Sequence, residues 1–111
     1  MNGRWVTVAA ALGGAADTTV FLATRPKLFA TAPQRAGGSV AFLAGWVALA
    51  TAAARDARTG RRSATTVALS QLLLAGNAAM LAVHLKNHIS NPRVFLGAGL
   101  SAAAAAGAFL A

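Results

Sequence analysis

Apolar residues run almost unbroken along four stretches, and the interruptions between them are short and polar. The first stretch, 5–24, opens at Trp5 and stops at Arg25-Pro26. Proline there removes a backbone donor and clashes with the preceding turn. The second, 35–54, follows Thr31-Ala32-Pro33 and closes at a cluster of arginines. The third, 63–86, starts near Ser63 and reaches past His84. The fourth, 92–111, follows Ser90-Asn91-Pro92, which reads as a helix N-cap and then proline in the first turn. A membrane span needs about 20 apolar residues, each rising ~1.5 Å along a helix. All four stretches meet that length. The prediction is an all-α membrane protein, with residues 1–111 forming a single domain of four transmembrane helices in an up-down-up-down bundle. Met1 to Arg4 and the small residues Gly14-Ala15-Ala16 also fit a cleaved signal peptide, but a retained first span is the expectation.

Composition reinforces the pattern. The chain is 57% hydrophobic and 11% charged, against roughly 25% charged residues in a soluble domain. Mean hydropathy is +0.59. Too few polar residues remain to clothe a water-soluble surface. Ten Lys and Arg face two acidic residues, for a formal charge of +8. These cations sit at the ends of the apolar runs, as in Arg25 and Lys27 or Arg55, Arg58, Arg61 and Arg62. That is where lipid headgroups are met, so the last four are assigned to headgroup contact in a solvated loop. A nucleic-acid surface would instead gather cations on one face with aromatics between them, so no nucleic-acid partner is expected. The absence of cysteine excludes disulfides, iron–sulfur clusters and thiol catalysis.

Counting cations does not orient the chain. Arg4, Arg55, Arg58, Arg61 and Arg62 lie on one side, and Arg25, Lys27, Arg35, Lys86 and Arg93 on the other, a tie at five each. The acid-poor, alanine- and arginine-rich composition suits an organellar import signal or a GC-rich genome, and the expected location is a bacterial cytoplasmic membrane or an organellar inner membrane.

Small residues recur at helix-packing intervals. Gly37, Ala41 and Gly45 are four apart on the second helix, and Gly97, Ser101 and Ala105 repeat the spacing on the fourth, as do Gly99, Ala103 and Gly107. Such rows let backbones approach closely, where dispersion and weak contacts replace a hydrophobic drive that lipid cannot supply. The rows predict helix interfaces, either within the chain or with a partner.

Few residues carry chemistry. Asp17 is the acidic residue inside a span, where a carboxylate costs ~2.5–3.5 kcal/mol on insertion scales. Depth along the helices places Asn77 and Ser101 near its level, which allows a polar node of Asp17, Asn77 and Ser101 at the midplane. On the third helix Thr66, Ser70, Asn77, His84 and His88 project within about 40° of one another, forming a polar stripe. Interhelical hydrogen bonding, at roughly 0.6 kcal/mol per contact, is its expected role, with a proton or substrate path as the alternative. His84 and His88 have the spacing of metal ligands but no third ligand at their level, so no metal or other cofactor is expected. They read instead as an interfacial segment.

No catalytic residue set is present: there are no paired carboxylates, no nucleophile with a base, and no phosphate-binding glycine loop. An enzyme is not expected. The leading expectation is a small non-catalytic accessory subunit of a larger membrane complex, of respiratory or photosynthetic type, with the bilayer and other membrane subunits as partners. The alternative is a homodimeric proton-coupled transporter using Asp17.

Overall fold

A computed structural model describes Gly3 to Leu110. The chain forms α1 (Gly3–Ala23), a one-turn α2 (Leu28–Thr31), α3 (Pro33–Thr59), α4 (Ala64–Lys86) and α5 (Pro92–Leu110). No strand occurs among the described residues. The four long helices are long and apolar enough to cross a membrane, so the fold is an all-α bundle of four transmembrane helices. In cross-section they form a ring in the order α1, α3, α4, α5, in which α1 packs on α3 and α5, and α4 on α5 and α3. The pairs α1/α4 and α3/α5 therefore stand at opposite corners.

The inside of the ring is built mainly from small side chains. Its core joins Ala10 and Ala11 of α1, Trp46, Leu49 and Ala50 of α3, Leu73 of α4 and Ala104 of α5. Trp46, 2% exposed, is the one aromatic among these core residues. It fits because Gly14 of α1 faces its ring with no side chain, and a Cβ there would fall inside the indole. Large apolar residues such as Leu12, Val47, Leu72, Met80, Phe95 and Phe109 point outward and are exposed. An outward belt of that kind is a liability in water but matches a lipid surface.

α3 runs past the expected span end at Ala54 to Thr59. Arginine and alanine are good helix formers, so the basic cluster extends the helix rather than ending it. Gly60, at φ 70° in the left-handed region, stops it. The helix is 27 residues long, which corresponds to about 40 Å against a hydrocarbon core of ~30 Å. The turn carrying Arg55 and Arg58 thus extends beyond the hydrocarbon. α2, which the apolar pattern does not announce, lies between Pro26 and Pro33 and tucks Leu28 into a buried position beside α3.

Candidate functional site

Polar side chains gather at the two ends of the bundle, with isolated ones between. At the end where α1 finishes and α5 begins, Asn91 caps α5 by accepting the Arg93 backbone N–H at 3.1 Å. Arg93 then reaches inward along the bundle. Its Nη1 donates to the Asp17 backbone oxygen at 3.3 Å and stands 3.8 Å from the Asp17 carboxylate. Phe21, one turn beyond Asp17, is met by two guanidinium groups, Arg25 at 4.5 Å and Arg93 at 5.1 Å from its ring centre. The cations there are held over an aromatic face.

The three residues expected at the midplane are not brought together. Asp17 lies six residues short of the end of α1, about 9 Å deep, and its partner is Arg93. Asn77 donates to Leu73 O in its own helix at 2.8 Å, and its Oδ1 lies against Gly97 of α5. Ser101 is fully buried and donates to Ala98 O at 3.0 Å. The ring sets Asp17 apart from Asn77, because α1 and α4 occupy opposite corners, and Ser101, on α5 between them, turns its hydroxyl to its own helix. The azimuth of each helix is set by packing, which the sequence alone does not give.

The stripe on α4 divides along its length. Thr66 and Ser70 are buried, and Asn77 is half-buried. His84 is half-buried as well, with Nδ1 2.8 Å from Met80 O. His88 does not continue the line. α4 ends at Lys86, and His88 sits exposed in the left-handed region at φ 56°. Histidine tolerates that conformation better than most residues. The i, i+4 helical pairing of the two imidazoles is therefore not formed, and no three His, Asp or Glu cluster as metal ligands among the described residues.

The rows of small residues twist out of register with the interfaces. Four residues advance a helix by 400°, so the ends of a three-member row diverge by about 80°. Gly45 meets Leu73, while a Cβ added at Gly37 would find nothing within 4 Å, and Ala41 is exposed. Likewise Gly107 meets α1 and Gly99 opens outward. The space beside Gly97 is filled by Asn77, whose Oδ1 would be 2.5 Å from an added Cβ. At Gly107 the α5 backbone lies directly against the α1 backbone, and Thr7 Oγ1 donates across to Ala104 O at 2.8 Å.

The opposite end holds a cluster that the sequence expectations miss. Asp56, expected in a solvated loop, is 4% exposed. Its Oδ2 accepts the Ser63 backbone N–H at 2.9 Å and the Ser63 hydroxyl at 3.0 Å. Ser63 in turn caps α4, accepting the Thr66 backbone N–H at 3.2 Å. Arg62, expected at headgroups, donates instead to Phe109 O at 2.7 Å and Ala108 O at 3.4 Å. It satisfies carbonyls that the end of α5 leaves without helical partners. The α3–α4 connection is therefore a structured clamp over two helix ends, while Arg55, Arg58 and Arg61 stay exposed. One signal in the sequence points to it: an isolated aspartate within a run of arginines, seven residues before a Ser-x-x-Thr helix start.

The described fold and its polar ends define an integral membrane protein of the four-helix type. Comparison of the chain with protein-family models, curated proteins and solved structures finds no match.

Proposed function

We propose that this chain is a small non-catalytic subunit of a larger integral membrane assembly, of respiratory or photosynthetic type, in a bacterial cytoplasmic or organellar inner membrane. The observation that carries the reading is the outer face of α3, where Gly37, Ala41, Ala44 and Ala48 are all exposed. A face of glycine and alanine gains little from lipid, but it lets a neighbouring helix approach to backbone contact. Both acidic residues are engaged within the chain, Asp17 with Arg93 and Asp56 with Ser63. They serve as fasteners of helix ends in this reading.

The alternative, a homodimeric proton-coupled transporter, draws on Asp17, whose side chain keeps 28% exposure beside Arg93. Purification of the tagged chain from its native membrane in mild detergent separates the two. The subunit reading expects other membrane chains in fixed stoichiometry, lost when Ala44 and Ala48 are both replaced by Leu and retained in Asp17→Asn. A lone homodimer with proton-dependent uptake that disappears in Asp17→Asn would overturn it.

A further inference from the structure

Polar side chains on the outward surface of the spans turn back to their own helices. Thr19 and Thr51, both exposed, donate to Ala15 O at 2.7 Å and Val47 O at 2.9 Å. Gln71 of α4 is different. Its side chain is exposed and has no hydrogen-bond partner among the described residues. It borders a crevice of about 260 Å³ toward α5, but the other polar residues lining that crevice bond elsewhere, Arg62 to Phe109 O and Ser70 to Val67 O.

The amide stands about 10 Å from the start of α4 and about 22 Å from its end, inside the hydrocarbon. An unpaired primary amide there is costly, and a partner that both accepts and donates removes the cost. The face around it is shaped for a close neighbour. Ala68, Gln71, Ala75, Ala78 and Ala82 are all exposed and follow one another in alternating steps of three and four, the repeat of a left-handed helix pair. They project within about 80° of one another. Alanine at the remaining positions of the row lets a second helix approach to about 8 Å, which brings Gln71 within reach of a residue opposite.

We propose that α4 is the seam of a parallel homodimer, in which the two Gln71 amides exchange hydrogen bonds across the alanine row. The amide selects a second copy as the occupant of this face. A primary amide is complementary to itself, since the N–H of each donates to the carbonyl of the other. Copies inserted the same way are related by an axis along the membrane normal, so a residue beside that axis meets its own counterpart. The off-centre position of Gln71 also fixes direction. A fully overlapping antiparallel helix would set it at the level of Ala79, which offers no polar side chain. One polar residue on an otherwise apolar seam specifies register and strand number in this way. The α3 face proposed for other subunits lies on a different helix, so the pairing does not rest on that reading.

The chain has no cysteine, so one introduced thiol reports on one position. Ala68→Cys, Ala75→Cys and Ala82→Cys, oxidised in native membranes with copper phenanthroline, should each give a disulfide-linked dimer. Met80→Cys should not, because Met80 is exposed about 180° around α4 from Gln71. In sedimentation equilibrium of the purified chain in dodecylmaltoside, Gln71→Leu should raise the dimer dissociation constant about threefold or more. Gln71 bonds to nothing in its own chain, so this variant leaves the fold intact. Ala44→Leu combined with Ala48→Leu, which tests the α3 face, should leave the cross-links unchanged. Native-strength association in Gln71→Leu would overturn the proposal. So would equal cross-linking of Met80→Cys and Ala75→Cys, which marks random collision, or a cross-link to a different polypeptide in place of the dimer.

Discussion

Gly107→Ala tests whether backbone contact between α1 and α5 holds this bundle together. A Cβ at position 107 would lie 2.5 Å from Gly3 O, 2.6 Å from Thr7 Oγ1 and 3.0 Å from Thr7 N, where ordinary contact begins at 3.4 Å. Two of these atoms are backbone, so no rotamer change relieves the overlap. The helices must part by roughly 1 Å to restore carbon contact distances. The Thr7 to Ala104 hydrogen bond, 2.8 Å long in the native chain, is then stretched or lost. Overpacking costs about 1–3 kcal/mol and the interhelical bond adds roughly 0.6 kcal/mol. Gly99→Ala provides the control, since nothing lies within 4 Å of its added Cβ. Both variants gain the same helix propensity, up to about 1 kcal/mol, so their difference isolates the contact. We expect Gly107→Ala to be less stable than Gly99→Ala by about 2–3 kcal/mol. Far-UV circular dichroism during reversible unfolding in mixed dodecylmaltoside–SDS micelles reads that difference. Indistinguishable midpoints for the two variants would refute the close approach of α1 and α5.

Two further outcomes are expected. Asp56→Ala strands the half-buried Ser63 backbone N–H and should cost about 1–2 kcal/mol in the same titration, while Asp56→Asn keeps an acceptor oxygen and should cost less. Hydrogen exchange at the Ser63 and Thr66 amides should accelerate in the alanine variant. For Asp17 and Arg93, 3.8 Å apart inside the span, a double-mutant cycle with Asp17→Asn and Arg93→Gln should return a coupling of about 0.6 kcal/mol, as for interhelical polar contacts in membrane bundles. A coupling of several kcal/mol would show that the pair is a principal fastener of α1 to α5.

The fold is legible in the chain because its signal is one-dimensional. Four apolar stretches punctuated by Arg25-Pro26, the arginine cluster and Asn91-Pro92 specify four helices without reference to any contact. Capping is equally local: Ser63 and Asn91 act on backbone groups two or three residues ahead. The position of Asp17 along its helix is a matter of counting as well.

The number of long helices and their approximate ends thus follow from the order of residues, because rise per residue is a property of the backbone. Azimuth and neighbourhood do not, and they emerge only when the helices pack. Packing sets α1 and α4 at opposite corners, giving Asp17 to Arg93 rather than to Asn77. It turns Gly107 inward and Gly99 outward within a single row of small residues. It also draws Asp56 and Arg62 out of a run of charges to fasten α4 and α5. In a membrane bundle these choices rest on shape fit and backbone approach between helices. A pattern of apolar and polar letters does not encode them, since alanine facing a partner and alanine facing lipid read the same.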